Sequence, residues 1–314
     1  LTAIAAKFKG EPCADWMGRE GAGHFVKAVH NGIEYADMQM IAEVYGLLRD
    51  AGGQTAPQIG ALFESWQKGP LSSYLIEVSA AALQTVDAES GTPMVDLILD
   101  KAGQKGTGRW TLIEALKLGQ SASSIEAAVG ARGWSSEKAL RVAAAPLLPD
   151  AVTGGTLPTE DEMKSALLAA RILGHAQGFR VLSAASDEFG WQLDMARIAE
   201  IWRAGCIIRS ALLDDLADAF HAGLPEGALI LAPAIRDMLG DHLAGLRKTV
   251  AAGVSLGVPM PALSASLAWY DSIRTARGSA NLIQAQRDFF GAHGFERGDI
   301  AGAHHGTWNA IRRD

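Results

Sequence analysis

The chain has 314 residues, of which 48% are apolar and 20% are charged, and its formal net charge is −7. This balance excludes an intrinsically disordered chain, which would have fewer apolar residues and more net charge. The excess of 35 acidic over 28 basic residues argues against general nucleic-acid binding. The longest apolar run, residues 228–235, is far shorter than the roughly 20 residues of a membrane-spanning helix. No nucleic-acid partner and no membrane segment are therefore predicted.

The chain begins with Leu1 rather than methionine, and residues 1–20 contain no signal peptide. We therefore expect it to begin within a longer protein. Cys13 and Cys206 fit no disulfide or CxxC pattern, which is typical of reduced thiols in the cytoplasm. The pair His304–His305 has no companion at metal-ligand spacing. We predict a cytoplasmic protein without a bound metal.

Helical periodicity dominates the sequence. Apolar residues recur at three- and four-residue spacing through residues 25–48 and again through residues 163–182. Ser/Thr-x-x-Glu patterns, which are typical of capped helix N-termini, begin at Thr111, Ser123 and Thr159. No alternation of β-branched residues is long enough to require a sheet. We predict an all-α fold.

A weak internal repeat divides the chain. Residues 43–46 (EVYG) resemble residues 187–190 (DEFG), and a Trp-x-x-Gly pattern occurs at Trp66 and again at Trp202. These matches predict a duplicated helical unit with halves at about 21–150 and 156–293, linked by residues 146–155 and followed by a tail, 294–314. Chance similarity among alanine-rich helices is the alternative. Six tryptophans are expected to be core anchors: Trp66, Trp110, Trp134, Trp191, Trp202 and Trp269.

Residues 21–39 (GAGHFVKAVHNGIEYADMQ) carry an unexpected line of polar side chains. Its members, which share one helix face, are Lys27, His30, Asn31, Glu34 and Tyr35. Lys27 and Glu34 are two turns apart, roughly 10 Å along the helix axis, which leaves room for a small substrate between a base and an acid. The alternative is a solvated face of an amphipathic helix, although such faces usually repeat Glu, Lys and Arg.

A second polar segment, residues 103–111 (GQKGTGRWT), brackets Lys105 and Thr107 with glycines. Glycines let backbone amides approach an anion, and a lysine adds positive charge, so the segment could hold a phosphate at a helix start. A flexible surface loop is the alternative. No G-x-G-x-x-G is present, and a dinucleotide-binding βαβ unit is therefore not predicted.

Several of these blocks together resemble the 6-phosphogluconate dehydrogenase family. The resemblance rests on GAGHFVKAVHNGIEYADMQ, AGQKGTGRWT, FGW…IWRAGCIIRS, GVPMPALSASLAWYD and ANLIQAQRDFFGAH, which together run from about residue 10 to residue 293. They match the family's all-helical C-terminal domain, so the N-terminal Rossmann domain is expected to be absent from this chain. The sequence departs from the family's pattern at Arg109, where lysine is more frequent, and after His293.

The resemblance implies oxidative decarboxylation of 6-phosphogluconate to ribulose 5-phosphate and CO2 in the pentose phosphate pathway. In that reaction Lys27 matches the general base at the C3 hydroxyl, and Glu34 matches the acid that protonates C1. His30 and Asn31 match groups that orient the sugar hydroxyls and carboxylate. The residues that match phosphate or substrate ligands are Tyr35, Lys105, Thr107 and Arg132.

The family's assembly and cofactor supply further expectations. Arg287 and His293 match tail residues that reach the partner subunit's site, which implies a homodimer. The cofactor is NADP, bound mainly by the N-terminal domain, and NAD remains an alternative. We expect the chain alone to bind 6-phosphogluconate weakly and to be inactive. The alternatives are a non-catalytic helical dimerisation scaffold and a related β-hydroxyacid dehydrogenase, against which the phosphate-directed basic residues argue.

Overall fold

Helices make up most of the computed structural model, which describes residues 1–150 and 152–308. The two longest occur where periodicity predicted them, α1 at Ala22–Gly46 and α8 at Glu160–Phe189. The remaining helices of the described residues are α2 (Ala56–Trp66), α3 (Tyr74–Gln84), α4 (Met94–Leu97), α5 (Thr107–Lys117), α6 (Ser123–Ser136), α7 (Lys138–Ala144), α9 (Met195–Ile201), α10 (Leu212–Ala222), α11 (Pro233–Ser255), α12 (Pro261–Ile273) and α13 (Ala280–Gly291). The predicted all-α class is confirmed.

Strands are few and short. In the described residues they are β1 (Lys7–Phe8), β2 (Glu11–Pro12), β3 (Phe295–Glu296) and β4 (Ala303–His304). Each forms an antiparallel two-stranded pair, β1 with β2 and β3 with β4. A π-helical turn, Leu47–Ala51, continues α1, and two 3₁₀ turns, Pro225–Gly227 and Leu229–Leu231, precede α11. No strand–helix–strand unit exists within this part of the chain, as predicted.

The chain forms two compact units, the first comprising residues 1–268 and the second beginning at Trp269. These bounds differ from the predicted halves, which stay a prediction. The repeated tetrapeptides lie at the C-terminal ends of α1 and α8. One Trp-x-x-Gly pattern begins at the last residue of α2, and the other begins directly after α9. Residue 151 of the predicted linker and residues 309–314 of the predicted tail lie outside the described residues.

The core of the first unit surrounds α8, which is buried on nearly all sides. It packs against α1 and α11. Close packing with α1 requires glycine at Gly178, where a Cβ atom would lie 2.6 Å from Cδ1 of Ile33. This contact holds α1 in the interior of the unit. A buried polar side chain on α1 must therefore have hydrogen-bond partners. No helix of the described residues is long and apolar enough to cross a membrane.

The predicted helix starts are only partly correct. Thr159 and Glu162 form the predicted capping box at α8. Thr111 lies inside α5, because that helix begins four residues earlier at Thr107. Ser123 does not cap α6; its hydroxyl donates to the carbonyl of Ala265 over 3.4 Å. A capping box that the sequence analysis missed begins α2, with Thr55 and Gln58.

Two of the six tryptophans do not lie in the core. Trp110 and Trp134 are 60% and 56% exposed, whereas Trp66 and Trp202 are buried. The face that α5 turns inward consists of Gly108, Thr111 and Ala115. Trp110 therefore lies outside that face. The aromatic character of a residue alone does not show whether it is buried. Trp269 is also buried, and Trp191 is of intermediate exposure.

Candidate active site

The polar line on α1 converges on one atom, Nδ1 of His30. The Nζ atom of Lys27 lies 3.3 Å from it, and Oε2 of Glu34 lies 4.0 Å from it. The amine and the carboxylate therefore point to the same side of the helix. The distance between the amine and the carboxylate cannot exceed the sum of those two distances. The two groups are therefore closer together than their Cα atoms, which are two helix turns apart. A base and an acid can thus act on one small molecule.

His30 is buried, and its ring packs edge-on against Trp202 with centroids 5.4 Å apart. Burial and the nearby Lys27 lower the pKa of His30 from 6.5 to about 4, so the imidazole is neutral at pH 7. The Oδ1 atom of Asn31 lies 3.0 Å from Nδ1. The Asn31 amide nitrogen donates to Thr107 Oγ1 over 3.1 Å, so the amide oxygen of Asn31 faces the imidazole.

Glu34 is only partly exposed. Burial raises its pKa above the ordinary value, and the positive charges of Lys27 and Arg132 oppose that rise. A carboxyl group in this setting holds its proton to a higher pH than a solvated glutamate does. Such a group is suited to donate a proton to a bound molecule.

The glycine-rich segment meets this line at the N-terminus of α5. Gly106 precedes the helix with φ +99°, a conformation that favours glycine, and no side chain caps the first turn. Gly108 lets the helix approach α1, since a Cβ atom there would lie 2.5 Å from Cδ2 of Tyr35. Lys105 is exposed immediately before this turn. First-turn amides beside a lysine are a favourable place for an anion.

Arg132 of α6 completes the cluster. Its guanidinium carbon lies 3.4 Å from the ring centroid of Tyr35, a cation–π contact. It also donates to the carbonyl of Gly103 over 3.2 Å, which connects α6 to the glycine-rich segment. Burial lowers the pKa of Arg132, but an arginine stays charged at neutral pH. The structure thus places a fixed cation beside Glu34 and the α5 N-terminus.

Seven of the ten predicted site residues take part in this cluster, and Lys105 adjoins it. The remaining two lie in the second unit. Arg287 is exposed and donates to Oε1 of Gln284 over 2.9 Å. His293 is exposed and packs edge-on against Phe290, with ring centroids 6.2 Å apart. Their predicted contact with a partner subunit stays a prediction.

A buried charged network that the sequence analysis missed begins at Asp37, three residues after Glu34 on α1. Nε of Arg171 donates to Oδ2 of Asp37 over 3.2 Å, and both side chains are 1% exposed. Arg171 also donates to Oγ of Ser73, and the Nδ1 of His175 lies 2.8 Å from the Arg171 carbonyl oxygen. The sequence did contain one indication of this network, because Asp37 and Arg171 are charged residues within segments of apolar periodicity. Buried charges of this kind require partners.

In the described part of the chain, no group of three or more His, Cys, Asp or Glu side chains is arranged to hold a metal ion. A dinucleotide cofactor has no strand–turn–helix unit to bind in this same part. The side chains of the cluster supply a base, an acid and several anion-binding groups.

Comparison with known proteins agrees with that chemistry. The family described as 6-phosphogluconate dehydrogenase, C-terminal domain, matches residues 23–308. The chain is 45% identical over 312 residues to a Bacillus subtilis protein named 6-phosphogluconate dehydrogenase, NADP(+)-dependent, decarboxylating, with 98% of this chain and 66% of that protein covered. It is 43% identical over 313 residues to a second B. subtilis enzyme, named NAD(+)-dependent, with 98% and 67% covered.

A solved structure gives the same result. The fold matches that of Plasmodium falciparum 6-phosphogluconate dehydrogenase with a TM-score of 0.93 at 36% identity. That protein is described in its apo form, in complex with its cofactor NADP+ and in complex with its substrate 6-phosphogluconate. The match covers 98% of this chain and 67% of that one. This chain thus spans about two thirds of the length of its relatives. It belongs to the 6-phosphogluconate dehydrogenase family, whose C-terminal helical domain it contains.

Proposed function

We propose that this chain is the substrate-binding and dimerisation domain of a decarboxylating 6-phosphogluconate dehydrogenase. The observation that carries the proposal is the convergence of Lys27 and Glu34 on Nδ1 of His30, beside the uncapped N-terminus of α5. The names of the relatives support the substrate and the reaction. The complete activity requires a hydride acceptor, and no step through that group is assigned to the residues described here.

Lys27 acts as the general base. It removes the proton of the C3 hydroxyl, and the hydride of C3 would pass to the bound hydride acceptor. The resulting ammonium then donates a hydrogen bond to the C3 keto oxygen, which helps the carbonyl to accept the electrons left by CO2. The Nζ atom of Lys27 lies 3.3 Å from Nδ1 of His30, so the base is held beside the buried imidazole.

Glu34 acts as the acid. When CO2 has left, C1 of the enediol must receive a proton, and the raised pKa of Glu34 favours the protonated form that can donate it. Asn31 is held by Thr107 and orients the sugar hydroxyls. The same hydrogen bond fixes α5 relative to Lys27 and Glu34. Binding of the phosphate and positioning of the substrate against these two groups therefore depend on one contact.

The phosphate binds at the start of α5. Lys105 supplies positive charge, the first-turn amides donate hydrogen bonds, and Thr107 offers a hydroxyl. Arg132 and Tyr35 form one wall through their cation–π contact. An unphosphorylated β-hydroxyacid would leave these basic groups without a partner, which is why that alternative is the less favoured one.

The cofactor preference and the assembly complete the proposal. We propose NADP, as named for one relative, with NAD the alternative because a second relative is named NAD(+)-dependent. We also propose a homodimer in which Arg287 and His293 complete the partner's site, in a cytoplasmic enzyme.

Isothermal titration of the 314-residue chain with 6-phosphogluconate tests the proposal, with gluconate as the unphosphorylated ligand. Binding of 6-phosphogluconate but not gluconate is expected, and K105A should weaken it about tenfold because a charge-assisted contact is lost. K117A is the matched control, since Lys117 is an exposed lysine at the other end of α5 that pairs with Glu114. Absence of heat with the wild type would favour the scaffold, and equal affinity for both ligands would favour a β-hydroxyacid dehydrogenase.

Turnover separates substrate binding from complete activity. The chain mixed with NADP and 6-phosphogluconate should produce no NADPH, because its described residues contain no dinucleotide-binding unit. Sustained NADPH production would contradict the assignment of this chain to the substrate domain alone.

A further inference from the structure

A buried carboxylate organises the second unit. Asp288 lies on α13 and is 2% exposed. Oδ1 accepts hydrogen bonds from the Gly294 amide over 2.9 Å and from Nδ1 of His305 over 2.6 Å. Oδ2 accepts from the Gly306 amide over 2.8 Å and from Nε1 of Trp308 over 2.7 Å. One side chain thus satisfies four donors.

These donors come from both ends of a returning segment. Gly294 lies three residues after the end of α13, whereas His305, Gly306 and Trp308 follow β4. Between them the chain goes out along β3 and comes back along β4. The Trp308 ring also packs edge-on against Phe289, with centroids 6.2 Å apart. The carboxylate therefore closes the segment at its base, where the hairpin alone has only two residue pairs.

The turn at the end of α13 needs this support. Ala292 has φ +51°, a conformation that non-glycine residues rarely adopt, and Gly294 has φ +74°. Such a backbone persists when its surroundings hold it in place. The bond from the Gly294 amide to Asp288 spans the turn and encloses His293 within it. The donors, the Gly306 amide first and then Trp308, keep the pKa of Asp288 well below its usual range, so the carboxylate is charged at neutral pH.

We propose that Asp288 is a positioning residue, which fixes the backbone on both sides of His293 and fastens residues 305–308 to α13. This inference rests on the proposed function, in which Arg287 and His293 contact the phosphorylated substrate of the partner subunit. Asp288 touches no substrate itself. It determines where the imidazole of His293 is presented, and it does so through hydrogen bonds inside its own subunit.

The structural part of the proposal is tested by hydrogen exchange in the 314-residue chain. D288N keeps the shape of the side chain, but its amide group faces two donors whichever way it is turned. Peptides that cover residues 289–308 should exchange about tenfold faster or more, because the segment opens more often. D299N is the matched control, because Asp299 lies in the same segment but is exposed and pairs with Arg297. It should leave exchange unchanged.

A milder variant guards against global unfolding of D288N. W308F removes one of the four donors and retains an aromatic ring, so it should accelerate exchange in the same peptides by a smaller factor. Unchanged exchange in both D288N and W308F would overturn the proposed role of the carboxylate. Exchange that rises equally in peptides of α1 and α8 would also overturn it, since the effect would then be general loss of stability.

The functional part is tested in the full-length enzyme. D288N should raise KM for 6-phosphogluconate about tenfold and lower kcat much less, because His293 is displaced while Lys27 and Glu34 are unchanged. D299N should match the wild type. Faster exchange in D288N without a change in KM would overturn the positioning role. A wild-type enzyme that does not turn over 6-phosphogluconate would refute the proposed function instead, and the exchange result would stand by itself.

Discussion

The close approach of α5 to α1 at Gly32 makes a sharp prediction. A Cβ atom at Gly32 would lie 2.7 Å from Cγ2, 2.9 Å from Oγ1 and 3.0 Å from Cβ of Thr111. Thr111 is buried, and rotation about its χ1 angle moves the first two atoms but leaves Cβ in place. G32A can therefore be accommodated only if α5 moves away from α1.

The expected cost follows from two opposing effects. Overpacking a buried helix contact costs about 1–3 kcal/mol, whereas replacing glycine by alanine inside a helix gains up to about 1 kcal/mol. We expect G32A to lower the free energy of unfolding by about 1 kcal/mol or more. The movement of α5 would also separate Asn31 from Thr107, which are 3.1 Å apart. Affinity for 6-phosphogluconate should fall along with stability.

Urea unfolding and ligand titration measure both effects. G23A is the matched control, because Gly23 lies in the same helix with no atom within 4 Å of a Cβ placed there; it should be neutral or slightly stabilising. In the double variant G32A/T111A, two of the three close contacts are gone, so it should be less destabilised than the two single variants added together. If G32A were as stable as G23A and bound 6-phosphogluconate normally, the close approach of these helices would be refuted.

Three further predictions concern buried ionisable groups. The pKa of His30 is lowered from 6.5 to about 4, so between these pH values the unfolded chain binds a proton that the folded chain does not. The free energy of unfolding of the wild type, relative to that of H30Q, should therefore fall as the pH is lowered from 6.5 to 4. A difference in urea unfolding that does not change with pH would contradict this. Burial raises the pKa of Glu43 from 4.5 to about 7, so the effect of pH on stability is reversed. The free energy of unfolding relative to that of E43Q should fall as the pH rises from 4.5 to 7, and urea unfolding at several pH values measures it. R171M leaves the buried Asp37 without its cation and should cost about 3–5 kcal/mol. Thermal unfolding of R171M and of D37N/R171M checks it, and the double variant should recover much of the loss.

Local patterns predicted the parts of the fold that depend on neighbours in sequence. The apolar spacing located α1 and α8, because a helix presents residues three and four apart on one face. The same rule places Lys27, His30 and Glu34 on one face of α1. Helix starts were less predictable. α5 begins at Thr107 because Gly106 adopts φ +99°, and this backbone choice outweighed the capping pattern at Thr111.

Contacts between distant segments could not be predicted in this way. Asp37 and Arg171 are 134 residues apart in sequence, and nothing in either segment indicates that they pair. The exposure of Trp110 and Trp134 depends on which faces of α5 and α6 turn inward. The pKa values of His30 and Glu34 depend on burial, which is a property of the assembled interior.

The amino-acid sequence alone determined the helical class, the family and the face on which the base and the acid lie, since periodicity and motif spacing act within a few residues. Tertiary structure decided that these groups meet at a neutral, buried imidazole, that the start of α5 lies beside them, and that a single carboxylate holds the second unit's returning segment. These features arise from packing between segments far apart along the chain, where the local pattern carries no information about distance, burial or charge.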